Sequence, residues 1–172
     1  MYYGKINKCD IANGEGIRVS LFVSGCRNNC PGCFQPETHS FYYGSEFTKE
    51  VEELIFTALS VPSVRGLTVL GGEPMEPENQ RDLLPFLKEF KQRFPNKTIW
   101  IYSGYTYEEL LGNHPTHTEY TESLLSLCDV LVDGRFIAEE YDIALRFRGS
   151  KNQRIIDLKN TVASGKICLL YD

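Results

Sequence analysis

The sequence lacks the long apolar runs and basic clusters that mark membrane-spanning and nucleic-acid-binding proteins. No apolar stretch approaches the ~20 residues that a helix needs to cross a bilayer, and residues 1–5 contain no apolar signal core. The net charge is −5 at pH 7, without any basic run, which argues against a nucleic-acid groove or an anionic membrane as the main partner. We therefore expect a cytoplasmic protein with no membrane partner and no nucleic-acid partner.

Histidine is scarce, and the chain is short for a large barrel. There are three histidines, and no serine lies in the strand-to-helix turn of a hydrolase nucleophile, so a Ser/His/Asp triad is not expected. The 172 residues fit one domain but are too few for a complete eight-unit β/α barrel of about 250 residues. Since no repeat or linker interrupts the chain, we expect a single domain over residues 1–172, with 158–172 as a tail of unassigned role.

Cysteine, by contrast, is plentiful and clustered. There are six cysteines, and in the cytoplasm they favour metal binding or catalysis over disulfides. Three of them form Cys26-x3-Cys30-x2-Cys33, directly after an alternating, strand-like run over Ile17–Ser24. Thiolates hold iron–sulfur clusters, normally four per [4Fe–4S] cluster. With no fourth cysteine nearby, three ligands leave one iron open, and open metal sites are where substrates react.

Other interpretations of this loop remain open at this point. Cys26, Cys30 and Cys33 with His39 would make a Cys3His zinc module, although zinc-binding motifs usually contain a second half that is absent here. Cys30 and Cys33 alone would make a dithiol redox pair, which leaves Cys26 unexplained. The three cysteines would also be compatible with simple packing in a core. We expect the scattered Cys9, Cys128 and Cys168 to be packed or surface thiols.

Hydrophobic periodicity predicts strands and helices in alternation. Strands are expected over 17–24, 67–70, 98–102 and 129–132, and helices over 48–60, 78–94, a segment opened by the capping box Thr106-x-x-Glu109, and 119–127. This order predicts an α/β fold with a mostly parallel sheet. The carboxyl ends of parallel strands share one edge, so the cysteine loop, Gly71–Pro74, Ser103–Tyr105 and Asp133–Arg135 should meet there.

The residues on that edge suit a zwitterionic ligand. Gly71 and Gly72 would let a ligand approach the backbone closely, Glu73 would suit an ammonium group, and Arg135 is a good partner for a carboxylate. Asp133 is a candidate partner for a cation. Each feature alone is equally typical of a turn or a surface ion pair. Combined with an open iron, they suit an amino acid that binds through the metal.

Two motifs resemble those of the radical S-adenosylmethionine enzymes: the cysteine loop and the turn Gly71-Gly72-Glu73-Pro74. Nearly the whole chain is similar to one branch, the activating proteins of anaerobic (class III) ribonucleoside-triphosphate reductase. Gly14-x-Gly16-x-Arg18, Leu21–Cys26 and Cys30–Cys33 are shared among activases of glycyl-radical enzymes, whereas Leu131–Phe136 and Arg148-Gly149-Ser150-x-Asn152-Gln153 point to the reductase activator. Glu15 and Gln35 stand where Pro and Asn are usual.

The resemblance implies a partial (β/α) barrel in which Cys26, Cys30 and Cys33 hold a [4Fe–4S] cluster that binds S-adenosylmethionine. Reductive cleavage would yield a 5′-deoxyadenosyl radical that takes a hydrogen atom from a glycine of the reductase. No side chain is then a catalyst itself. A small redox protein such as flavodoxin or ferredoxin would supply the electron. The resemblance and the residues on the edge together give the expected nucleotide-binding set: Gly32, Cys33, Phe34, Gly71, Gly72, Glu73, Pro74, Ser103, Asp133 and Arg135. Activation of another glycyl-radical enzyme, of the pyruvate formate-lyase type, and radical chemistry on a small molecule are the alternatives.

Overall fold

The computed structural model describes residues 1–171, which contain one seven-stranded sheet in the order β3-β1-β2-β4-β5-β6-β7. Its strands are β1 (Tyr2–Asp10), β2 (Ile17–Val23), β3 (Ser45–Glu46), β4 (Val64–Gly71), β5 (Thr98–Ser103), β6 (Val130–Asp133) and β7 (Arg154–Asp157). The order is linear, so the sheet is open. The first ten residues, expected only as an extended entry, form β1 and pair with β2.

Five α-helices connect or flank these strands. They are α1 (Lys49–Leu59), α2 (Pro77–Arg93), α3 (Tyr107–Leu111), α4 (Thr121–Leu127) and α5 (Leu158–Ser164). The predicted capping box is confirmed: Thr106 Oγ1 accepts from the backbone of Glu109, whose carboxylate accepts from Thr106 N–H. α1, α2 and α4 lie within about three residues of their predicted bounds because apolar periodicity is strong in these segments, whereas α5 lies in the part of the chain for which no helix was predicted. None of the helices among residues 1–171 combines the length and the apolar character needed to span a bilayer.

The centre of the sheet is parallel, as the alternation of strands and helices predicts. β2, β4, β5 and β6 run parallel, and the antiparallel partners β1 and β7 flank them. The mixed α/β class is therefore confirmed. The sheet is parallel only in its centre, where βαβ connections supply the strands.

The two faces of the sheet are covered differently. Val19, Leu21, Leu67, Ile99 and Leu131 share one face and pack with the apolar sides of α1, α2 and α4 in the main core. On the opposite face, a row across three strands consists of Phe22, Leu70 and Tyr102 (Phe22 is paired with Leu70 in register). No helix of the described chain covers this row, and it is where the cavity described below lies.

The tail that follows β7 is ordered against the sheet. After α5 the chain returns along β7, where Asp157 N–H donates to Cys168 O at 2.8 Å and Leu170 N–H donates to Ile155 O at 2.7 Å. Residues 158–171 therefore belong to the same folded unit as the sheet. In this returning segment one isolated β-bridge forms, between Ile156 and Leu169.

Candidate functional site

The three clustered cysteines line one cavity of about 540 Å³ at the carboxyl edge of the parallel strands. Gly25, with φ +98°, turns the chain out of β2, and Cys33 N–H donates to Cys30 O at 3.1 Å to close the second half of the loop. All six cysteines are free thiols. The cavity volume lies in the usual range of small-molecule and cofactor sites.

Two neighbouring residues fasten the cysteine loop to the rest of the site. Arg27 N–H donates to Glu76 Oε1 at 2.7 Å, and the Arg27 guanidinium pairs with Glu76 and Glu78 and lies 4.4 Å from the centre of the Phe41 ring. Asn28 Nδ2 donates to Glu73 Oε2 at 3.0 Å. The loop is thus tied both to the start of α2 and to the glycine-rich turn.

The cavity holds its thiols in a partly desolvated setting. Burial, followed by the nearby charge of Glu73, raises the pKa of Cys26 to about 11. Burial also raises the pKa of Cys30. Metal binding requires thiolates, so loading such a site would release protons, and the metal charge would compensate for the cost of ionising the thiols.

The turn Gly71–Pro74 is packed so closely that only glycine fits at its second position. A Cβ on Gly72 would lie 2.7 Å from Gly25 O and 2.9 Å from Thr38 O. Gly71 has φ +109°, a conformation that disfavours other residues. Both glycines line the cavity, so a ligand there could reach their backbone groups directly.

Glu73 connects three of the four predicted stretches. Its carboxylate accepts from Ser103 Oγ at 2.9 Å, from Gly104 N–H at 2.7 Å and from Asn28 in the cysteine loop. The side chain is buried, and burial raises its pKa to about 7, although these donors favour the ionised form. An ammonium group in the cavity would stabilise the carboxylate further.

The structure brings most of the predicted site residues to the cavity and leaves others outside it. Those on its wall are Cys26, Cys30, Cys33, Phe34, Gly71, Gly72, Glu73 and Ser103. Gly32, Pro74, Asp133 and Arg135 are not on the wall. Gly32 is exposed on the outer side of the cysteine loop, and Pro74 is buried in the turn.

Asp133 and Arg135 make contacts within the protein. Asp133 shares the strand face of Leu131, on the helix-covered side, where it accepts from Tyr107 N–H at 2.7 Å and pairs with Arg154. Arg135 pairs with Glu109 at 3.1 Å and lies over the ring of Tyr105. In this geometry Asp133 supports the start of α3, and Arg135 is half-exposed beside the site.

The cavity has a second wall that the sequence does not predict. It consists of residues from the segment 141–149, which line the same cavity as the row Phe22, Leu70 and Tyr102, and Tyr102 Oη donates to Phe147 O at 2.7 Å. Gln153 holds this segment in place, since it accepts from Gly149 N–H and donates to Gly134 O. Neither the strand pattern over Ile17–Ser24 nor the motif in 148–153 predicts this contact, because it joins residues that are far apart in the sequence.

The zinc interpretation is not supported by the placement of its ligands. Among residues 1–171, no three His, Cys, Asp or Glu side chains converge tightly enough to hold one metal ion. Thiolates of a [4Fe–4S] cluster bind different iron atoms, so they stand farther apart than ligands of a single ion. Three thiols around a cavity with room for further ligands fit the cluster better than a Cys3His site with His39.

Comparisons with known proteins agree with this geometry. Residues 12–156 match the family described as 4Fe-4S single cluster domain. The chain is 40% identical over 157 residues to an anaerobic ribonucleoside-triphosphate reductase-activating protein of Vibrio cholerae, covering 90% of this chain and 97% of that one. Proteins of the same name are 35% identical in Escherichia coli K12, over 92% of this chain and 100% of the relative, and 34% identical in Enterobacteria phage T4, over 90% and 93%.

Proposed function

Since this chain belongs to the family of anaerobic ribonucleoside-triphosphate reductase-activating proteins and carries a 4Fe-4S single cluster domain, we propose that its cavity is where the reductase is activated. The protein is an activating enzyme that uses a [4Fe–4S] cluster and S-adenosylmethionine. The observation that carries the assignment to this cavity is that Cys26, Cys30 and Cys33 share its wall with Gly71, Gly72 and Glu73.

The residues of the chain would bind and orient the two cofactors. When bound, the cluster and S-adenosylmethionine would supply the one-electron reductive chemistry by which a glycyl radical is generated on the reductase. The three thiolates hold the cluster, and Gly71 and Gly72 present backbone groups to the methionine part. Glu73, fixed by Ser103 and Gly104, receives the ammonium group.

The remaining predicted residues contribute to this proposed site in different ways, either on the cavity wall or from outside it. Phe34 is on the cavity wall next to Cys33 and would pack against the nucleotide. Gly32 and Pro74 shape the two turns, Asp133 positions α3, and Arg135 would reach the methionine carboxylate only by leaving Glu109. The open α/β sheet, with a cavity on the face that no helix covers, supports our proposal of a partial (β/α) barrel of the radical S-adenosylmethionine type.

The mouth of the cavity favours a protein substrate over a small molecule. Phe34, Tyr141 and Ile143 line the cavity yet are 66%, 49% and 88% exposed. Exposed apolar clusters mark interaction surfaces, and an enclosed small-molecule site would bury such side chains. We infer that the partner is the anaerobic reductase, that a flavodoxin or ferredoxin supplies the electron, and that the reaction occurs in the cytoplasm, where thiols stay reduced.

An anaerobic spin measurement tests this function. The full chain, loaded with iron and sulfide and mixed with the reductase, a reductant and S-adenosylmethionine, should contain about four irons and produce a glycyl radical signal. Cys26→Ala should lose the iron and the signal, whereas the exposed Cys9→Ala should keep both. A signal with pyruvate formate-lyase but not with the reductase would move the assignment to another activase. Protein that binds one zinc ion and no iron would contradict the proposed function.

A further inference from the structure

His39 has a buried polar atom that no described part of the chain uses. Its Nε2 is buried without a hydrogen-bond partner among residues 1–171, and its side chain lines the cavity together with the three cysteines. An unpaired buried polar group is destabilising, and native proteins pair roughly nine in ten such groups or more. The cavity wall therefore includes a residue whose buried Nε2 has an unused hydrogen-bonding capacity.

The backbone around His39 is fixed against both halves of the site. Cys26 N–H donates to His39 O at 3.2 Å, and Gly25 N–H donates to Thr38 O at 2.8 Å. The same Thr38 carbonyl oxygen lies 2.9 Å from the position that a Cβ on Gly72 would occupy. The short 3-10 helix Pro36–His39 is thus held between the cysteine loop and the glycine-rich turn, which fixes the backbone of His39 beside the cofactor cavity.

Building on the proposed function, we propose that His39 is a cofactor-binding residue whose Nε2–H donates a hydrogen bond to an acceptor atom of the bound cofactors. The acceptor is either a sulfur of the cluster or an oxygen or nitrogen of S-adenosylmethionine. Both are electron-rich groups that would be desolvated in this cavity, where such a bond is strong. Hydrogen bonds to cluster sulfurs also raise the reduction potential, because they stabilise the more negative reduced state.

Three variants of the full chain test this, in two arms. His39→Leu removes the donor. The terminal amide of His39→Gln places a donor near the position of Nε2, and the shorter His39→Asn places one near Nδ1. The first arm is an anaerobic redox titration of the cluster without S-adenosylmethionine, and the second is equilibrium binding of S-adenosylmethionine to the unreduced, cluster-loaded protein. Neither arm depends on activity.

In one of the two arms, we expect the equilibrium constant of the Leu and Asn variants (for cluster reduction or for S-adenosylmethionine binding) to weaken by about tenfold. The same constant of the Gln variant should stay within about twofold of wild type. For a one-electron cluster a tenfold change is about 59 mV, toward lower potential. A shift in the first arm assigns the bond to the cluster, as does loss of iron from the Leu variant with retention by the Gln variant. A change in the second arm assigns it to the nucleotide.

Several outcomes would overturn the inference. If all three variants match wild type in both arms, Nε2 serves no cofactor, and if Gln is as impaired as Leu, the role of His39 is not donation from Nε2. Wild-type protein without a [4Fe–4S] cluster would refute the proposed function, and the inference with it. Unchanged variants of a cluster-bearing, S-adenosylmethionine-cleaving protein would refute the inference alone.

Discussion

At the scale of single residues, Glu73 is a group whose acid–base chemistry the fold changes strongly. It is fully buried, and burial raises its pKa to about 7 from a usual value of 4.5. Four donors, from Asn28, Met75, Ser103 and Gly104, surround the carboxylate. The same residue thus connects three loops and keeps an acceptor ready for a cation, at a cost in stability when it ionises without one.

This cost predicts a pH dependence of stability. Between pH 4.5 and pH 7 the folded protein keeps a proton that the unfolded chain releases, so the free energy of unfolding should fall as pH rises and then level off. The contribution of Glu73 is on the order of 3 kcal/mol across this window. Urea denaturation of the cofactor-free chain at a series of pH values measures it.

Glu73→Gln is the control for this prediction. The variant cannot ionise, so the difference in unfolding free energy between it and wild type should change across the window and stay constant above it. Its absolute stability is a poor guide, because the amide N–H₂ would face donors such as Gly104 N–H. An identical pH slope in both proteins would contradict the raised pKa.

At the scale of elements, the site depends on how closely three turns approach one another. Gly72 is the contact point, since its Cα lies against the carbonyls of Gly25 and Thr38, which belong to the cysteine loop and the adjoining segment. The contact is between backbone atoms on both sides, so no side-chain rotamer change can make room for a larger residue.

Gly72→Ala should therefore separate the turn from the cysteine loop. We expect a loss of roughly 1–3 kcal/mol in unfolding free energy and S-adenosylmethionine binding that is weaker by about tenfold or more. Gly165→Ala is the matched control, because Gly165 has φ +69° and no neighbour within 4 Å of an added Cβ. It should cost about 1 kcal/mol through strain alone and leave binding unchanged. Equal binding losses in both variants would show that the turn contact is unimportant.

The sequence predicted these elements well because the signals that define them are local. The capping box of Thr106 and Glu109 and the alternation in Ile17–Val23 depend on neighbouring residues only. The same reasoning brought Cys26, Gly72 and Glu73 to one edge, since strand order and polarity suffice for that. It did not separate Ser103, on the cavity wall, from Asp133, under α3, because that difference depends on which partners each side chain finds.

At the scale of the whole molecule, the sheet face that no helix covers determines which partner can reach the cavity. The mouth is lined by exposed Phe34, Tyr141 and Ile143. The segment 141–149 that forms this wall has few periodic features and is held by Gln153 and Tyr102. These are long-range contacts, so the composition of the segment gave no hint that it forms a cavity wall.

We expect the mouth to contact the reductase. Ile143→Asp should weaken binding of the reductase by about tenfold or more, because a charge would replace an apolar side chain at a desolvated interface. Val162→Asp is the control, since Val162 is 73% exposed but lies on α5, outside the cavity wall. Titration of each variant with the reductase, in the absence of reductant, gives the dissociation constants. Equal constants for the two variants would place the interface elsewhere.

The row Phe22, Leu70 and Tyr102 beneath the cavity has a consequence for how the chain can change in length. Side chains alternate between faces along a strand, so inserting one residue within β4 would exchange Val69 with Leu70 and turn the packed interior toward the cofactor cavity. An insertion of two residues would keep each side chain on its face and would lengthen the strand by about 6.6 Å. Insertions and deletions that the central strands tolerate should therefore contain an even number of residues, whereas the outer loops should tolerate any number.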